Sequence, residues 1–181
     1  MRVGIFGGTF NPIHFGHLRS AEEVGEALTL DHVRFIPTAL PPHKSMGEVA
    51  PSLDRLEMVR LAVEENSAFV CDPIEVERGG KSYTVDTLMA LSEGSCKGAS
   101  LYFIVGVDAF LEIHTWRKPD KILQMASFCV TLRIGQEPDD LLKTAQRALA
   151  RVDAALTLKQ VEDNEMQIIE NRKTINFITI S

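Results

Sequence analysis

Between an apolar run at residues 3–6 and the first stretch with helical spacing lies the segment GGTFNPIHFGH, residues 7–17. Gly7 and Gly8 lack a Cβ, so their backbone amides can approach a phosphate closely and adopt angles that other residues resist. Asn11-Pro12 enforces an extended or turned backbone, and His14 and His17 then fall three apart at the entry to a helix, where both imidazoles share one face. A helix N-terminus favours anions through free amides and partial positive charge, and two imidazole N–H donors add to that. The same helix end disfavours an imidazolium in an empty site, and neutral donors suffice. The pattern suits the grip of a polyphosphate. A pair of histidines without a third ligand at sensible spacing does not suggest zinc, and no residue is assigned to a metal.

These residues need a scaffold that holds them at a strand's carboxyl end, where ligands of open α/β sheets sit. Short β-branched runs alternate with helical spacing along the chain, the mark of βαβ units and a parallel sheet. Strands are expected at 3–6, at 33–36 before Pro37, at 69–71 and 74–76, at 101–105, at 128–132 and at 174–180. Leu18, Ala21, Val24 and Leu28 describe one helix face. A second helix opens at Ser52 and turns Leu56, Val59 and Val63 to the core. A third carries Val85, Leu88 and Met89 within 83–91, after a break at Gly79-Gly80, and a fourth covers 138–150. Residues 37–51, rich in proline and polar side chains, read as a mobile surface loop. Residues 151–172 show no decisive period, and the last strand is expected to leave a sheet edge uncovered.

Composition bounds the partners. The 181 residues suit one domain, and 45% apolar with 24% charged residues is ordinary for a globular chain. Lysine and arginine number 19 against 25 acidic residues, for a net charge of −6, and no window concentrates positive charge, so nucleic acid is not expected as a partner. No apolar run is long enough to cross a bilayer, so no membrane partner is expected, and the absence of a leader pattern points to the cytoplasm. Cys71, Cys96 and Cys129 are odd in number and widely spaced, as reduced thiols would be. Nothing in the sequence specifies an oligomeric state. Two nucleotide motifs fail: the three spaced glycines of a dinucleotide fold are absent after the first strand, and Gly80-Lys81-Ser82 imitates a P-loop whose earlier glycine is replaced by Glu75.

The segment 7–17 resembles the signature of the nucleotidylyltransferase superfamily, whose HxGH element is filled by His14, Phe15, Gly16 and His17. PPHK at 41–44, SYTVDTL at 82–88 and GVDAFLEIHTW at 106–116 narrow the resemblance to the bacterial nicotinate-nucleotide adenylyltransferase family. It covers residues 2–132, with the four motifs in order. The resemblance implies a Rossmann-like open parallel sheet with helices on both faces, and transfer of AMP from ATP to nicotinate mononucleotide with magnesium as helper. It implies that His14 and His17 hold the ATP phosphates as the catalytic pair. Gly8, Thr9 and Phe10 would line the nucleotide pocket, Lys44 would fold over the phosphates, and Gly106 and Asp108 would meet ribose hydroxyls. Tyr83 and Thr84 would receive the nicotinate carboxylate on backbone amides, with Trp116 stacked on the pyridine ring. For Asp108 a helix cap is the competing role.

Two departures stand out. Asn11 occupies a position where many relatives carry Asp, a change that preserves the turn. Similar enzymes also have a Ser-Ser-Thr-x-x-Arg segment after the final strand, and this sequence stops at Ser181; it is read as one domain, 1–181, missing that segment by truncation rather than by loss of half of the phosphate clamp, the alternative that would put full activity in doubt. Another adenylyltransferase or cytidylyltransferase of the superfamily, or a non-catalytic nucleotide sensor, are the alternatives.

Overall fold

Apolar side chains at every second position divide one sheet into two buried faces. The computed structural model describes residues 1–40, 49–135, 138 and 140–181. In chain order it contains β1 (Arg2–Gly8), α1 (Phe15–Ala27), β2 (His32–Pro37), α2 (Ser52–Val63), β3 (Phe69–Cys71), α3 (Ile74–Arg78) and α4 (Thr84–Glu93). Then come β4 (Ser100–Gly106), α5 (Val107–Leu111), a 3-10 turn (Ile113–Thr115), α6 (Pro119–Met125), β5 (Ala126–Arg133), α7 (Leu141–Ala150), β6 (Leu158–Glu162), β7 (Glu165–Ile168) and β8 (Thr174–Ile180). The strands among the described residues form one sheet in the order β3-β2-β1-β4-β5-β8-β7-β6. Neighbours from β3 to β8 pair in parallel, whereas β7 is antiparallel to β6 and β8.

Ile5, Phe103, Val105, Phe128 and Phe177 point to the face covered by α4, α5, α6 and α7. Their chain neighbours Ile104, Cys129 and Ile178 point the other way, with Phe35, against Ala21 and Val24 of α1 and Val59 and Val63 of α2. Each large side chain so buried contributes about 1.5–3 kcal/mol. The connections leave β1 toward β2 and β4 toward β5, in opposite directions, so the strand order reverses between β1 and β4. A crevice at the carboxyl ends of that pair is where such a sheet takes its ligand. No helix among the described residues is long and apolar enough to cross a membrane.

Five expectations change. Residues 74–76 are helix, because Asp72 Oδ1 accepts the Ile74 N–H at 3.1 Å and Glu77 N–H reaches the Pro73 carbonyl, closing a turn just after the proline. Leu56 is only half-buried, and the buried position beside it belongs to Arg55. In α4, Leu91 takes the core position expected for Met89, which is exposed. The fourth helix starts at Leu141 rather than 138, with Asp140 as its cap accepting the Lys143 N–H at 2.9 Å. β8 is no edge strand, because the unassigned region 151–172 supplies the β6–β7 hairpin that pairs with it.

Candidate active site

Where β1 and β4 diverge, a cleft of about 550 Å³ opens. Gly8 and Thr9 reach it from the end of β1, Gly106 from the end of β4, Tyr83 and Thr84 from the start of α4, and Trp116 from just beyond the 3-10 turn. These six expected site residues therefore meet. Phe10, His14, His17 and Asp108 do not line the cleft. Lys44 and the whole of its motif, residues 41–44, lie outside the described residues, as does the greater part of the loop expected over 37–51.

His14 is the N-cap of α1, in extended backbone. Its N–H donates to His17 Nδ1 at 3.2 Å, an arrangement that puts the His17 proton on Nε2. The two rings lie 3.8 Å apart with a 31° tilt, and Phe10 meets His17 edge-on at 5.1 Å. Burial, and then the adjoining His14 imidazole, lower the pKa of His17 to about 4, so at neutral pH it is an uncharged N–H donor. Gly16 makes this stacking possible: a Cβ there would stand 3.1 Å from the His14 ring.

Gly7 and Gly8 finish β1 without the positive φ that their sequence position suggested. Gly8 supplies room instead, since a Cβ would lie 3.0 Å from the Phe10 ring. The left-handed residue is Phe10 itself (φ 46°), whose ring is buried in the core on the α1–α2 face, leaving its backbone for a ligand. Beneath this turn Arg55, 1% exposed, donates to the carbonyls of Thr9 (2.6 Å), Thr38 (2.6 Å), Ala39 (3.0 Å) and Ala50 (2.9 Å). Burial lowers its pKa from the ordinary arginine value, yet a guanidinium stays charged under all native conditions.

The opposite end is aromatic. Trp116 is half-buried, its indole set edge-on against Phe103 at 5.7 Å, and it borders the cleft. Tyr83 caps α4 in extended backbone and Thr84 is its first residue, so the amides of these two residues have no partner within the helix, whereas those of Asp86 and Thr87 donate to the Tyr83 carbonyl. The Arg117 guanidinium lies 4.8 Å over the Tyr83 ring and donates to Asp86 Oδ2 at 3.3 Å. Asp108 is exposed in the first turn of α5, whose cap is Gly106, so the capping role weighed for it is not realised.

The floor between the two ends is polar. Thr87 Oγ1 donates to Glu75 Oε1 at 2.6 Å and accepts from Arg78 at 3.0 Å, and Ser82 Oγ accepts the Ala39 N–H at 3.0 Å. Glu75 Oε2 and Thr38 Oγ1 are buried without a hydrogen-bond partner among the described residues. Burial pushes the Glu75 carboxyl above the ordinary range despite the Thr87 bond. Arg55, Glu75, Thr87 and Arg117 were not singled out from the sequence as site residues. Thr87 stands within SYTVDTL and Arg117 directly follows Trp116, the two signals that could have drawn attention to them. Among the described residues no group of three His, Cys, Asp or Glu side chains could hold a metal ion.

A family model described as cytidylyltransferase-like matches residues 5–176. The chain is 50% identical over 133 residues to the "Probable nicotinate-nucleotide adenylyltransferase" of Desulfatibacillum aliphaticivorans, covering 74% of this chain and 60% of that protein. A protein of the same name from Geobacter sulfurreducens is 48% identical over 142 residues, covering 78% of this chain and 65% of the relative. The chain thus spans less than two thirds of the length of these relatives. In structure it is similar to Plasmodium falciparum nicotinic acid mononucleotide adenylyltransferase complexed with NaAD, with a TM-score of 0.67 at 18% identity, covering 84% of this chain and 71% of that one. That likeness shows a shared α/β fold.

Proposed function

We propose that this chain, which belongs to the cytidylyltransferase-like family, transfers AMP from ATP to nicotinate mononucleotide. A phosphate oxygen of the mononucleotide attacks the α-phosphorus of ATP in line, the bond to the β-phosphate breaks, and nicotinic acid adenine dinucleotide and pyrophosphate leave. The observation that carries this reading is a cleft bordered at one end by the Gly8-Thr9 turn, which leads on to the paired imidazoles, and at the other by a half-buried indole, at the point where the strand order reverses. The names of the relatives supply the nicotinate nucleotide and the adenylyl group that it receives.

The attacking phosphate is already ionised at pH 7, so the site needs no base and catalysis reduces to alignment and stabilisation of charge. Charge moves onto the departing pyrophosphate, toward the His17 Nε2–H and His14. A fixed neutral donor that strengthens its bond as that charge grows is electrostatic catalysis. In this reading Gly8, Thr9 and the Phe10 backbone border the ATP, Lys44 joins its phosphates, and Gly106 and Asp108 take ribose hydroxyls. Trp116 stacks on the pyridine, while amides at Tyr83 and Thr84 receive its carboxylate. Magnesium enters bound to the triphosphate, whose oxygens suit so hard a cation. The reaction belongs to the cytoplasm, in keeping with three free thiols.

The test is a two-substrate pyrophosphate assay. With ATP and magnesium, the protein is expected to release pyrophosphate with nicotinate mononucleotide and far more slowly with nicotinamide mononucleotide. Equal rates reject the acid preference, and binding of both nucleotides without release would point to the nucleotide-sensor alternative.

A further inference from the structure

We infer that Arg117 is a specificity-determining residue, whose guanidinium selects a carboxylate over a carboxamide on the pyridine ring. This rests on the reading of the site given above. Among the described residues bordering the cleft, two carry ionisable charge, Glu75 and Arg117. Glu75 is buried and committed through Oε1 to Thr87. Arg117 is half-exposed beside Trp116, so a ring stacked on the indole brings its substituent toward a cation.

The guanidinium carbon lies 4.8 Å from the centroid of the Tyr83 ring, and the group carries five N–H donors, more than its bond to Asp86 uses. One of them reaches Asp86, a residue outside the lining, at 3.3 Å. Charge-assisted bonds usually span about 2.7–2.9 Å, so Asp86 steadies the group without saturating it. The mononucleotide's phosphate has to lie toward the imidazole end, where transfer occurs. The anion left for the aromatic end is the ring carboxylate. Two carboxylate oxygens match the guanidinium fork, whereas a carboxamide offers one oxygen and turns an NH2 donor toward other donors.

The experiment measures kcat/KM for nicotinate and nicotinamide mononucleotides with the purified protein and three variants. Arg117→Gln is expected to lower the acid-to-amide ratio about tenfold, the worth of one charge-assisted hydrogen bond at a half-exposed site. The loss should appear in KM for the acid, with KM for ATP unchanged. Arg117→Lys should keep part of the preference, and Asp86→Asn, which releases the guanidinium, should raise it about twofold. An unchanged ratio in Arg117→Gln, or equal losses for acid and amide, overturns the assignment and leaves Arg117 as a support for Tyr83. Absence of pyrophosphate release by the unaltered protein with either mononucleotide overturns the functional reading itself, and this inference with it.

Discussion

At one end of the cleft Gly8 and Thr9 open an unbroken run that continues to His14 and His17 beyond the lining, whereas at the aromatic end Tyr83, Thr84, Trp116 and Arg117 come from two distant segments. The first end is set by local geometry: a β-strand stops, Phe10 turns left-handed, and His14 caps α1 while His17 bonds back to it. The second exists because α4 and the 3-10 turn pack on the same face of the sheet. Local construction gives one end fixed donors, suited to stabilising a developing charge. Tertiary construction gives the other the surface that, in the proposed function, sorts substrates. Damage to the first should therefore appear in rate, and damage to the second in substrate affinity.

The largest effect is expected from His17→Ala, which should reduce turnover by on the order of 10²–10³ while the far-ultraviolet circular dichroism stays unchanged. A variant of wild-type activity would remove the imidazole end from the chemistry. Arg55→Met should lower stability by roughly 3 kcal/mol, because buried carbonyls of Thr9 and Thr38 lose a charged donor; urea titration reads this directly. Trp116→Ala should raise KM for the mononucleotide about tenfold through loss of stacking and leave KM for ATP in place. Equal change in both would erase the contrast between the two ends.

The smallest effect concerns pH. With a pKa of about 4 in the folded protein against 6.5 in a model peptide, His17 binds a proton more readily in the unfolded chain. Its contribution to stability is thus complete above about pH 6.5 and fades as pH falls toward 4. Melting temperatures of the protein and of His17→Ala, followed from pH 7 to 4, should show the steeper decline where His17 is present, since His32, whose pKa burial also lowers, titrates in both.

The same contrast governs what could be read from the amino acids. The period-2 runs of β1, β4, β5 and β8 face core on both sides of the sheet and announce themselves, as does the glycine-histidine turn. β6 escaped because it is a mostly exposed outer strand, LKQVE, without an apolar stripe. The short helix α3 escaped because Asp72 and Pro73 outweigh the β-branched Ile74 and Val76. Arg55 gave no signal, since a buried cation satisfied by carbonyls from separate segments has no local pattern. Glu75 reaches the cleft only through packing, so its place required the folded chain, whereas Arg117 was signalled only by standing next to Trp116.

The peptide between Thr38 and Ala39 carries a further lesson about the interior cation. Planar trans geometry sets the two polar atoms of a peptide group back to back. Here the oxygen is drawn inward to Arg55 and the nitrogen is turned out to the hydroxyl of Ser82, the residue just ahead of Tyr83. One rigid amide is thereby a strut between opposite walls of the crevice: whatever pulls on the guanidinium under the first wall also tugs the doorstep of the second.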